Sequence, residues 1–280
     1  MADDNSTLAA VESLLGDRYV REARLAPAFL CVFPIFLLLI AWIGDLQHVL
    51  PGLLSLLCFF GVVRWVSHIA RSIGDRKEVG LFEKWGGKPT TTLLRCEPSA
   101  SVCAKDPNFS LARFLLGTGQ RGTISAHYAL HFKKGLPTAH DEDRAIKDPN
   151  DSLDRLYEPA VAWLRENTRD NELVFEENIS YGFQRNFFAL RTYAILCAVL
   201  ALVLHAGAMG IAKHRHLPHP AWSLLIAVGL VLAAFLAALL GFVTENSVRE
   251  QGFVYARQLL NSVYVDPAKA KTHAPEDAKG

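Results

Sequence analysis

The residues from Lys84 to Arg95 hold the densest set of side chains suited to binding an anion. Lys84, Lys88 and Arg95 supply charge, and Thr90, Thr91 and Thr92 supply hydroxyl donors. Gly86 and Gly87 let backbone approach a ligand closely, and Trp85 offers a face on which a base could stack. The stretch is not an NTP-binding loop. A Walker sequence needs glycine six residues before its lysine, where Phe82 stands, and Ser or Thr after it, where Pro89 stands. Lys84, Trp85, Gly86, Gly87, Lys88, Thr90, Thr91 and Arg95 form the candidate ligand-binding set. The competing reading is structural: an ordered turn with Trp85 buried and the threonines capping the next helix.

Two other groups resemble metal ligands at first sight. His214, His216 and His219 give H-x-H-x-x-H, but Lys213 and Arg215 repel a cation and no carboxylate is close. Cys96, Cys103, His127 and His131 could be written C-x6-C and H-x3-H, yet six residues between cysteines is not a zinc-knuckle spacing. We expect no metal and no cofactor. No G-x-S-x-G, H-E-x-x-H or comparable catalytic signature occurs, so an enzyme is not expected.

These side chains sit in a membrane frame. The chain has 280 residues, 51% of them hydrophobic, and a formal net charge of +1. An amphipathic helix is expected over 6–24, with Leu8, Val11, Leu14 and Leu15 at helical spacing. The uncharged run Leu25–Ile43, about 28 Å long as a helix, matches a hydrocarbon core of about 30 Å. A short connection leads to a second span, Val49–Val66, with Arg64 and Trp65 at its interface. Two further spans are expected at 192–212 and 221–243, with 179–191 as an aromatic and basic lead-in. Residues 44–48 and 213–220 are the short connections. From Thr244 the chain is expected to continue as a helix to about 265, with a disordered tail over 266–280.

The polar region 67–186 lies between the two pairs of spans. Short helices are expected at 108–116 and 123–134, a loop over 136–150, and a longer helix from Asp151 or Ser152 to about Asn167. Residues 67–135 carry a net +6 and residues 136–186 a net −6. Either the two halves pack together, or the basic half faces an anionic ligand or lipid headgroups. The fold class is therefore mostly α: two transmembrane helical hairpins flanking a mainly helical domain. Lys and Arg flank the termini and the domain side, which the positive-inside rule places in the cytoplasm. All five cysteines are expected to be reduced thiols.

Two intramembrane features stand out. His205 is an ionisable group within the third span, either bonded to a neighbouring helix or serving a pore. In the fourth span Gly229, Ala233, Ala237 and Gly241 recur every four residues, a stripe that lets a helix approach closely, within the chain or between copies.

The pattern Trp85-Gly86-Gly87-x-Pro89-Thr90-Thr91, with Trp163-Leu164-Arg165-Glu166-Asn167-Thr168-Arg169-Asp170 and Glu176-Glu177-Asn178-Ile179-Ser180-Tyr181-Gly182-Phe183, resembles a family of poorly characterised bacterial four-span membrane proteins. The resemblance covers about residues 65–195. Some members look like membrane effectors of nucleotidyltransferase-linked, Hailong-type antiphage defence. The resemblance implies a homo-oligomeric inner-membrane channel, gated at its cytoplasmic domain by a nucleotide or single-stranded DNA made by a partner nucleotidyltransferase. It assigns no role to any single motif residue. The alternative expectation is a non-conducting scaffold that recruits a cytoplasmic protein.

Overall fold

A computed structural model describes residues 18–42, 49–95, 122–130, 132–147, 152–216 and 219–262, and they are mostly helical. Most of the expected 6–24 helix, the 108–116 helix, the first connection, Cys96, Cys103, His131 and the 266–280 tail lie outside these residues. The helices are α1 (Ala26–Trp42), α2 (Val49–Trp85), α3 (Pro89–Leu94), α4 (Ala139–Lys147), α5 (Leu153–Asn167), α6 (Glu172–Arg215), α7 (Trp222–Phe242) and α8 (Glu245–Asn261). A π-helical segment, Val20–Leu25, leads into α1, and residues 122–130 form a further helical stretch.

Three helical stretches among the described residues are long and apolar enough to cross a membrane: Val20–Trp42, Glu172–Arg215 and Trp222–Phe242. Even the shortest, at 21 residues, spans about 32 Å. The expected second span falls within α2, which is not one of these three.

Several boundaries differ from the sequence reading. α2 does not end near Val66 but continues to Trp85, because no proline interrupts it after Pro51. The lead-in and the third span belong to one helix of 44 residues, α6, which begins at Glu172. The 136–150 region is not all loop: α4 starts from a capping box in which Asp141 Oδ2 accepts from Thr138 N at 2.9 Å and Thr138 Oγ1 from Asp141 N at 3.4 Å. The chain after Thr244 is a separate helix. α7 stops at Phe242, and Thr244 and Ser247 cap α8 reciprocally, at 3.0 and 3.2 Å.

The chain forms two compact units, residues 1–78 with 179–248 and residues 79–178 with 249–280. In the first, α1 and α6 lie in parallel register. Asn186 Nδ2 donates to Ala23 O at 2.7 Å, and Trp42 Nε1 donates to His205 Nδ1 at 3.0 Å; each pair is 163 residues apart in sequence. The two ties are separated by 19 residues on each helix, about 28 Å. Between them Ala28, Cys31, Leu38 and Ala41 meet the alanines Ala194, Ala198 and Ala201 of α6. Small side chains let the two backbones approach closely. α7 completes this core with Leu232, Val228 and Leu239. α2 joins through Val63, Ala70 and Gly74; a Cβ on Gly74 would stand 3.1 Å from Asn186 Oδ1.

In the second unit, α5 is organised as its sequence implies. Ser152 Oγ accepts from Arg155 N at 3.2 Å, and Tyr157, Ala160, Val161 and Leu164 bury one face. Tyr128 stands edge-on to Trp163 at 5.7 Å.

Candidate functional site

The Lys84–Arg95 stretch is a helix–turn–helix built around Asp154. α2 ends in a Schellman turn: Gly87 N donates to Phe82 O at 2.8 Å and Gly86 N to Glu83 O at 3.3 Å. Gly86 and Gly87 have φ of 79° and 130°, conformations that disfavour a side chain. Lys88 is extended, and Pro89 occupies the first turn of α3, where its fixed φ suits the helix. Lys88 O accepts from Thr92 N and from Thr92 Oγ1, at 2.9 and 2.8 Å.

Asp154, in the first turn of α5, receives the donors that this turn presents. Lys88 N donates to both carboxylate oxygens, at 3.1 and 3.0 Å. The Thr91 hydroxyl hydrogen-bonds Oδ1, and Arg95 Nη2 lies 3.5 Å from the same oxygen. Arg95 Nη1 donates to Gly86 O at 2.7 Å, clasping the turn. A Cβ at Gly87 would lie 2.3 Å from Arg95 Nη2 and 2.9 Å from Asp154 Oδ1, so glycine is required for closeness as well as for φ. Lys88 Nζ pairs with Glu158 at 3.4 Å in the open, worth at most about 1 kcal/mol.

Arg95 is 8% exposed, and its Nε is buried without a partner. Burial pushes its guanidinium below the ordinary value, opposed by Asp154, Glu142 and Tyr157. Glu142 accepts from the Tyr157 hydroxyl at 2.6 Å, and both are buried. An open groove of about 490 Å³ runs past Phe82, Gly87, Lys88, Arg95, Asp154 and Glu158.

This placement redistributes the candidate set. Trp85 is 6% exposed, edge-on to Phe82, so its face is not open to a stacking base. Thr90, Thr91 and Thr92 are interior, and Thr91 serves Asp154. Gly86, Gly87, Lys88 and Arg95 line the groove, whereas Lys84 is exposed outside it. Asp154 and Glu142 were not singled out in the sequence. The signal for them was the charge split: Lys88 and Arg95 of the basic half pair with Glu158 and Asp154 of the acidic half.

His205 is 3% exposed, and both of its ring nitrogens are engaged. Trp42 donates to Nδ1, so Nδ1 carries a lone pair and Nε2 the proton, which it donates to Leu225 O at 2.8 Å. One hydrogen-bonded imidazole thus ties α1, α6 and α7. Of the small-residue stripe, only Gly229 meets this site, with a Cβ position 3.6 Å from the ring. Ala233, Ala237 and Gly241 are exposed, because α7 packs through Leu225, Val228, Leu232 and Leu239 instead. The packing stripe within the chain is the alanine ladder of α6, which the sequence reading missed.

His214, His216 and His219 are exposed, and His219 Nδ1 donates to Pro220 O at 2.6 Å. No group of three metal-ligating side chains occurs among the described residues. No family model matches the chain, and neither the characterised proteins nor the solved structures searched give a match.

Proposed function

We propose that this protein is an oligomeric membrane channel gated through its polar unit by an anionic ligand, of nucleotide or single-stranded nucleic acid chemistry, and placed in the bacterial inner membrane with both termini and that unit cytoplasmic. Two transmembrane hairpins, α1–α2 and α6–α7, form its membrane part. Antiphage defence is the setting that the resemblance suggests.

The carrying observation is the exposed face of α2. Arg64, His68 and Arg71 recur at i, i+4 and i+7 and are exposed, while Val63, Ser67, Ala70 and Gly74 form the buried face. Gly74 lies against Asn186 and Ala189, and Glu78 bonds Arg185 and Tyr181, so α2 runs antiparallel to α6. Ten residues back from Gly74, about 15 Å along the helix, Arg64 is level with the apolar part of α6 near Leu196 and Val199. An ionisable side chain at that depth either reaches back to the headgroups or faces water or protein, and the recurrence of His68 and Arg71 on the same face favours an aqueous path. A ring of copies would turn this face to a shared aqueous path, and its charge favours anions. The exposed stripe Ala233, Ala237 and Gly241 is the surface through which copies would meet.

Asp154 supplies the gating chemistry. Its carboxylate occupies the donors that an incoming phosphate would seek: Lys88 N–H, the Thr91 hydroxyl and Arg95. A ligand that binds them displaces Asp154 and loosens α5 from the turn that ends α2, the helix whose earlier part carries Arg64. The test is ion flux from liposomes with and without short single-stranded deoxyoligonucleotides. Ligand-dependent flux supports the reading. Absence of flux together with capture of a stoichiometric cytoplasmic protein would favour a scaffold.

A further inference from the structure

Where α2, α6 and α7 meet, two cations, Lys77 and Arg191, stand together. Lys77 Nζ donates to Ala189 O at 3.3 Å and lies 5.3 Å from the centre of the Phe188 ring. Arg191 Nη2 donates to Leu240 O at 3.3 Å, one of the last carbonyls of α7, which the helix itself leaves without a donor. Arg191 Nε is buried and has no partner. The carboxylates nearest in the sequence of α2 are committed elsewhere: Asp75 and Glu78 both pair with Arg185, at 3.4 and 3.0 Å. Among the described residues no carboxylate forms an ion pair with Lys77 or Arg191. Desolvation, and then the Arg191 guanidinium, push the Lys77 ammonium below its ordinary value.

Like charges held close, with a guanidinium N–H left over, are stabilised by an anion between them. The level is informative. Arg191 is the last charged residue before the uncharged run 192–212 of α6, and Leu240 lies at the corresponding end of α7. That is the height of lipid phosphates, where basic pockets between transmembrane helices take anionic headgroups.

We propose that Lys77 and Arg191 form a binding site for a phosphate oxyanion, with the phosphodiester of an anionic phospholipid as its source. The phosphate oxygens take the Lys77 ammonium and the free Arg191 N–H groups, and the acyl chains lie along the apolar helices. The site is separate from the Asp154 groove and does not depend on conduction.

The full-length protein in a neutral detergent is titrated with phosphatidylglycerol, phosphatidylcholine or inorganic phosphate, following its thermal unfolding midpoint and the lipid retained in native mass spectra. Phosphatidylglycerol should raise the midpoint and be retained; phosphatidylcholine should do so more weakly. Lys77→Gln should lower the apparent affinity for phosphatidylglycerol about fivefold, the effect expected for one surface cation. Arg191 also holds the end of α7, so Arg191→Lys accompanies Arg191→Gln: it keeps the charge and should retain part of the lipid effect. Equal retention of phosphatidylglycerol by wild type, Lys77→Gln and Arg191→Gln overturns the site. A response to inorganic phosphate that matches that to phosphatidylglycerol overturns the lipid as its source.

Discussion

Trp42 and His205 meet across 3.0 Å with the indole N–H on the imidazole Nδ1, which fixes the ring as the tautomer protonated on Nε2. Leu225 O then takes that proton, so three helices depend on one side chain. Trp42→Phe should remove one hydrogen bond and lower stability by about 1 kcal/mol, within the range for polar ties in membranes. His205→Ala, which loses both bonds and leaves a void, should cost about 2–3 kcal/mol. Unfolding of both single variants and the double variant in detergent checks this. The double variant should fall short of the sum, because both changes break the same bond.

The Asp154 hub gives a second expectation. Asp154→Asn weakens bonds to Lys88 N and Arg95 and should destabilise the protein by about 2–3 kcal/mol. It should also raise affinity for a single-stranded oligonucleotide, since the internal competitor has lost its charge. Thermal unfolding and a binding titration on the same sample measure both. A stability loss without any gain in binding would separate the hub from ligand recognition.

Gly87→Ala is the sharper structural test. A side chain at φ 130°, with its Cβ 2.3 Å from Arg95, should cost more than about 2 kcal/mol. The open position at Gly241, where a Cβ meets nothing within 4 Å, is the control. Gly241→Trp and Ala237→Trp should leave the thermal midpoint of the single chain unchanged and reduce the mass of the assembly measured by light scattering.

The pH dependence of the α4 cap has a definite sign. The Thr138 backbone N–H, then its hydroxyl, hold the Asp141 carboxyl below its ordinary value. A depressed folded-state value means that the cap is fully stabilising above the unfolded value, about 3.9, and is lost as pH falls through the folded one. Thr138→Ala, which removes the hydroxyl but keeps the backbone N–H, should lower stability at neutral pH, leave it nearly unchanged below the folded value, and so flatten that part of the acid unfolding limb.

Local order was readable where the chain dictates it alone. A helix starting at Asp151 or Ser152 and running to about Asn167 followed from spacing alone, and of its apolar residues Tyr157, Ala160, Val161 and Leu164 are buried while Leu153 and Leu156 are only partly so. The cap of α4 was also written locally, in Thr138-x-x-Asp141, but the surrounding proline and acids read as loop. Contacts between distant segments were not readable. Arg95 and Asp154 are 59 residues apart, and nothing in either neighbourhood names the other. The alanine ladder of α6 was hidden because alanine in an apolar run fits a lipid face as well as a helix interface. The more regular stripe of α7 drew attention, yet within the chain α7 packs on its leucines.

The central proposal is a water-filled path lined by the Arg64 face of α2. The reversal potential across a KCl gradient, in planar bilayers activated by short single-stranded deoxyoligonucleotides, tests it most directly. Wild type should pass current with a reversal potential shifted toward that of chloride, and Arg64→Glu should move it toward that of potassium while conductance persists. An unchanged reversal potential in Arg64→Glu, or no current under any of these conditions, would contradict the account.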